Sequence, residues 1–395
     1  MEYRIDLGMT TITYAFATNE SVANLVGSFD AGDEYRAFML QSVVNTHDLG
    51  EQIVPFDDGS MGKRMHPGFK RSLSHTHTQM QEITSQSSVY TSILRRIKAE
   101  CEQSLRREVD EAYVSVQGSL DLKARQQIRD AGLKAGLKVR AVISQVDAAP
   151  AAYGLENADD KEHYHIVVEY NQASLGLALV NTDVGISETL VYSTDPWHGS
   201  NDFDYRMAHE FVKASSLGPK DVDQITGDSV AMATIANSFR DVRGKNESFL
   251  ALEEEIVVSV PKIRRDVGDF ESTMSRSRFR AAENEYFESA QTGIEAFLKE
   301  CQLETTSAAS PDIPSRDEVS TVMFMGDALA ASFSRLREAV TTAASRSGLR
   351  LRVLDSVKPA HVAALGAAMS AARTLENSER IRAYYHPDGQ IHDEL

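Results

Sequence analysis

Two β-hairpins set into a chain that otherwise alternates strands with helices restrict its fold more than any other feature. The opening alternates apolar and polar residues through Tyr3 to Asp6, turns at Gly8 and resumes from Ile12 to Ala17. A period of two with glycine at the reversal predicts a hairpin. The scheme returns in mid-chain, where Ile166-Val167-Val168 breaks at Asn171 to Ala173 and comes back through Leu175 to Val180. Between the hairpins the period changes: Val89, Ile93, Leu94, Ile97 and Cys101 recur at helical spacing. Val114-Ser115-Val116 then reads as a short strand, 122–136 as a helix, 139–143 as a strand, and the small residues up to Tyr153 as a helix. Alternating elements imply an α/β class, and two hairpins leading similar units imply a duplicated architecture.

Downstream, helices are expected over 202–214, 229–242, 277–300, 328–345 and 360–374, with strands near 252–260 and 322–325. Residues 305–317, rich in Ser, Ala and Pro, read as a surface linker, and 30–80, punctuated by Gly50, Pro55, Gly59, Gly62 and Pro67, as irregular.

Composition narrows the function classes. With 395 residues, 42% of them hydrophobic, the chain has material for more than one compact unit. Its formal net charge of -17 disfavours nucleic acid and anionic membrane faces, which need clustered Lys and Arg. Two cysteines, Cys101 and Cys301, cannot build a disulfide framework or a cysteine metal site. The pairs His75/His77 and His163/His165 are too few as ligands, so no metal is expected. No apolar run is long enough to span a membrane. His392-Asp393-Glu394-Leu395 is the address that retrieves proteins to the endoplasmic reticulum, and Asn19 and Asn246 head glycosylation sequons. A luminal location is expected if a leader preceded Met1, and a cytoplasmic one otherwise.

Six passages in order resemble the ATPase domain of the seventy-kilodalton heat-shock chaperones. They are Asp6-Leu7-Gly8-Met9-Thr10, Asp130-Ala131-Gly132 with Ala135-Gly136-Leu137, Ala151-Ala152-Tyr153-Gly154-Leu155, Asp202-Phe203-Asp204 with Arg206-Met207, Ser275-Arg276-Ser277-Arg278-Phe279, and Leu365-Gly366-Ala367-Ala368. The resemblance implies a two-lobed, actin-like α/β fold, each lobe built on a ribonuclease-H-like sheet with flanking helices, and a central cleft between them. It places lobe I at 1–158 plus 357–376, with 30–85 as its small subdomain. Lobe II falls at 159–356, with 206–281 as its small subdomain, and 377–395 is a tail in place of a peptide-binding domain.

The nucleotide motifs depart from the family pattern. Met9 replaces a threonine in the first phosphate loop, while Asp6, Gly8 and Thr10 keep it. The second loop's three glycines align with Asn171, Gln172 and Ala173, following Glu169 and Tyr170, and its metal-holding aspartate aligns with Gly176. Gln145 stands where the family carries a glutamate, and an amide cannot act as a general base. The adenine clamp aligns with Ser238, Asp241 and Val242. Met325-Gly326-Asp327-Ala328-Leu329 lacks the stacking arginine, and Ala360, beside His361, replaces another acid.

The resemblance with these departures implies a pseudo-ATPase that binds no ATP, expects no cofactor, and serves as a binding or assembly module toward a protein partner or small molecule, alone or in an oligomer. The alternative reading is a scaffold reused for nucleotide-independent acid/base chemistry, of isomerase, cyclase or lyase type, with Glu169, Asp327, Asp204 and His361 as candidate groups. The residues expected around the old nucleotide position are Asp6, Gly8, Met9, Thr10, Gln145, Glu169, Tyr170, Asn171, Gly199, Asp204, Gly326 and Asp327.

Overall fold

The computed structural model describes residues 2–7, 11–19, 22–30, 86–106, 108–118, 122–155, 162–172, 174–183, 185–245, 255–264, 268–301, 314–326, 328 and 330–370. Gly8, Met9, Thr10, Asp327, nearly all of the small subdomain expected at 30–85, and the 377–395 tail lie outside them.

Strands β1 (Glu2–Leu7), β2 (Thr11–Asn19) and β3 (Val22–Asp30) form a meander. Helix α1 (Gln86–Leu105), β4 (Glu111–Val116), α2 (Leu122–Lys134), β5 (Lys138–Ser144) and α3 (Gln145–Ala152) follow. The sheet order is β3-β2-β1-β4-β5, with β1, β4 and β5 parallel.

The second half repeats this scheme. Strands β6 (His163–Tyr170), β7 (Leu175–Asp183) and β8 (Ile186–Asp195) form another meander, joined later by β11 (Val319–Met325) and β12 (Arg352–Leu354). Read from β8, the order β8-β7-β6-β11-β12 reproduces the first sheet strand for strand. This is the duplicated α/β architecture that the paired hairpins predict. The third strand of each meander, β3 and β8, escapes the sequence pattern. In β8 an exposed/half-buried alternation over Ile186 to Leu190 gives way to full burial at Thr194 and Asp195, so no single period marks it.

Between β8 and β11 the chain builds α4 (Ser200–Ala214), α5 (Pro219–Thr226), α6 (Ser229–Lys245), the hairpin β9 (Glu255–Arg264) with β10 (Gly268–Ser275), and α7 (Arg276–Glu300). Helices α8 (Ala330–Arg346) and α9, over 359–370, close the described chain. The main core gathers Phe203 and Phe211 of α4, Phe239 of α6, and Phe279, Tyr286 and Phe287 of α7 in tilted and edge-on contacts 5.2 to 6.4 Å apart.

A second core joins the lobes. Val146 and Ala149 of α3 and Val362 and Ala363 of α9 pack with Val167, Ala178, Val180, Met323 and Met325 of the second sheet. Helices α3 and α9 cross at Gly366, where an added Cβ would stand 1.9 Å from the Ala148 carbonyl oxygen. Glycine is required there by contact, not by its own torsion.

Candidate functional site

In sheets of this kind ligands sit beyond the carboxyl ends of the parallel strands. Those ends carry Asp6 on β1, Gln117 after β4, Ser144-Gln145 after β5, Glu169 on β6 and Gly326 after β11. Asp6 pairs in backbone register with Thr13 and Ser115. Gln145, buried, opens α3 behind its N-cap Ser144.

The turn between β6 and β7 is tied down on every side. The Asn171 amide donates to the Ser174 carbonyl at 3.0 Å, and the Ala328 amide donates to the Tyr170 carbonyl at 3.2 Å. The amides of Ser200 and Asn201, at the start of α4, donate to the carbonyls of Asn171 and Gln172 at 3.0 and 2.8 Å. Helix N-terminal amides form a ready anion cradle, and here two of them serve the turn. Gly326 lies against the same turn with φ of 122°, and a Cβ on it would come within 2.2 Å of the Tyr170 carbonyl oxygen and 2.8 Å of Asn171 Oδ1. Only glycine combines that torsion with that approach.

Glu169 is fully buried and accepts from the Tyr192 hydroxyl at 2.8 Å on Oε2. Its register partner on β7 is Gly176. Tyr170, also buried, meets Phe333 edge-on at 5.6 Å. Burial pushes the Tyr170 phenol upward.

Asp204 is buried on α4 and accepts from Arg240 Nε at 2.8 Å and Arg243 NH2 at 2.6 Å, so each oxygen holds a guanidinium. Desolvation raises its pKa, opposed by Arg243 and Arg240. Arg243 also lies 5.1 Å from the Phe203 ring centre, and Arg240 reaches Asn201 Oδ1 at 2.6 Å. The two arginines stand on α6 among the positions aligned with the adenine clamp. Of those, Ser238 donates to the Ser259 carbonyl at 3.2 Å. The sequence names Asp204 but not its partners, because α4 and α6 meet only in the folded chain.

Gly199 is the N-cap of α4. Asp202 sits three residues in and accepts from the Gly199 amide at 3.0 Å, while the Gly199 carbonyl accepts from the buried Tyr286 hydroxyl at 2.8 Å. Just before it, Asp195 and His198, both buried, bond through His198 Nδ1, and the Trp197 amide donates to Asp195 Oδ1 at 2.8 Å. This pair carried no sequence signal beyond a Trp-His dipeptide. His361, half-buried on α9, has its pKa lowered by desolvation and by Lys358. Buried His165 bonds Thr321 Oγ1 through Nδ1 at 2.6 Å, with His163 stacked at 6.5 Å. Among the described residues no three His, Cys, Asp or Glu side chains group as metal ligands.

Comparison with known proteins gives the family. A model described as Hsp70 protein matches residues 69–379. Heat shock cognate 70 kDa protein 3 of Dictyostelium discoideum is 25% identical over 225 residues, 56% of this chain and 35% of that protein. Heat shock 70 kDa protein 2 of Paracoccidioides lutzii is 24% identical over 215 residues, 54% of this chain and 32% of its own length. A heat shock 70 kDa protein of Ajellomyces capsulatus is 26% identical over 215 residues, 54% of this chain and 30% of its own. The matched stretch thus covers about a third of each of these relatives. With the duplicated five-stranded sheets and a family match over most of its length, the chain belongs to the Hsp70 protein family.

Proposed function

We propose that this protein is a nucleotide-independent member of its family, a binding or assembly module that neither holds nor hydrolyses ATP. The observation that carries the reading is the β6–β7 turn. At the position aligned with the polyphosphate loop, the Asn171 and Gln172 carbonyls occupy the α4 amides, and side chains replace all three glycines. ATP with its metal does not fit this residue set. The carboxylate expected beside the metal is absent at Gly176, and Glu169 is buried and bonded to Tyr192 instead.

The acid/base alternative needs carboxylates free to exchange protons. Asp204 is committed to two guanidiniums, one on each oxygen, which occupies both of its acceptor atoms. A surface role finds support on β8, an edge strand whose Ile186 and Leu190 are 71% and 41% exposed on either side of exposed Glu188. Exposed apolar residues on a sheet edge suit partner binding.

Calorimetric titration of the purified protein with ATP and ADP, with and without magnesium, tests the reading. No heat of binding is expected. Micromolar affinity for either nucleotide would overturn it.

A further inference from the structure

We infer that the two lobes are latched together without any ligand, by contacts from the end of β4 to the second hairpin and β8. Gln117, 1% exposed, follows β4 and donates from Nε2 to the buried Ser174 hydroxyl at 2.9 Å. Its neighbour Gly118 lies under the Tyr192 ring, and a Cβ there would stand 2.8 Å from Cε2 and 3.0 Å from Cζ. That ring is held in turn by its hydroxyl bond to buried Glu169.

Three residues earlier on β8, the Thr189 hydroxyl donates to Asp147 on α3, a second tie between the lobes. Burial raises the Asp147 pKa and the Thr189 bond opposes the rise. The apolar contact of α3 and α9 with the second sheet is non-directional, so by itself it tolerates some rotation. Directional hydrogen bonds and a ring seated on a glycine do not, because separating the lobes must break them together.

The consequence rests on the nucleotide-independent reading. A latch made of side chains alone holds one lobe arrangement at all times, so the binding surface is presented constantly and does not cycle. Gln117 with Ser174 and Tyr192 over Gly118 bridge the lobes, and Glu169 holds the Tyr192 ring in place.

Hydrogen exchange of the full chain, wild type against Gln117→Ala/Tyr192→Ala, tests this, with small-angle scattering alongside. In the double variant, amides of 112–118 and of 189–195 are expected to exchange at least tenfold faster, and in concert. The radius of gyration should rise, while protection in α4, α6 and α7 stays at the wild-type level. Tyr192→Phe, which keeps the ring on Gly118 and loses only the bond to Glu169, should give a smaller acceleration of both segments and guards against misfolding of the double variant. Unchanged exchange in either variant, or acceleration confined to 189–195, would overturn the latch. Nucleotide binding by the wild type in calorimetry would overturn the functional reading instead and leave the latch to be judged on the variants.

Discussion

Gly176 faces Glu169 across the β6–β7 ladder so closely that a Cβ on it would lie 2.9 Å from both Glu169 Oε2 and the Tyr192 hydroxyl. The space beside Gly176 is therefore taken by its neighbours. Gly176→Asp would press a second carboxylate against a buried one. It should cost about 3–5 kcal/mol, the range for an uncompensated buried charge. Urea unfolding at pH 7 measures this, and a loss under about 0.5 kcal/mol would mean that the pocket has room.

Asp204 is expected to act in folding. Asp204→Asn removes the carboxylate that pairs with buried Arg243 beside the Phe203 and Phe239 rings, and should destabilise by about 3–5 kcal/mol. Pairing Asp204→Leu with Arg243→Met removes the two buried charges, leaves the partly exposed Arg240, and should recover most of that loss in thermal unfolding. No recovery in the double variant would argue against the pair as the source.

His165 sets a pH dependence. Burial, with His163 beside it, lowers its pKa to about 4 from an ordinary 6.5. A depressed folded-state value means that the neutral ring is favoured, so its contribution is complete above pH 6.5 and is lost as pH falls toward 4. The shift corresponds to roughly 3 kcal/mol at most. Denaturant midpoints of wild type and His165→Gln should diverge above pH 6.5 and converge toward pH 4. Parallel curves would remove His165 as the cause.

Two glycines should respond to alanine to different degrees. Gly366→Ala drives a methyl into the Ala148 carbonyl at the α3–α9 crossing and should cost about 3 kcal/mol, the upper end for overpacking. Gly154→Ala meets nothing within 4 Å and bears only its φ of 69°, roughly 1–2 kcal/mol. Melting temperatures in that order support the crossing as a close backbone contact.

Much of the architecture was legible in the residues. Hairpin periodicity at 3–17 and 166–180 and the alternation that follows predict the duplicated sheets, since a pattern of period two is local information. The long helix expected at 277–300 runs from Arg276 to Glu300 because its apolar stripe repeats over seven turns with no proline to interrupt it. Helix α5 was missed: eight residues, with Ile225 alone buried, are too few to display a stripe. Strand β12, three residues long, escaped for the same reason.

The site divides in the same way. The residues at Gln145, at Asn171 to Ala173 and at Gly176 are read from sequence alone as expected departures from the motif that the chain resembles, since a resemblance is carried by residue type. What fills the resulting space could not be read. Tyr192 lies 23 residues from Glu169, Gln117 lies 57 from Ser174, and Arg243 lies 39 from Asp204. No local period links such pairs. The sequence determined which residue types stand at these positions, because chemistry belongs to residue type. Only the tertiary structure decided which of them bond to one another, because those contacts form only where the folded chain brings β8 beside β6, the end of β4 onto the second hairpin, and α6 against α4.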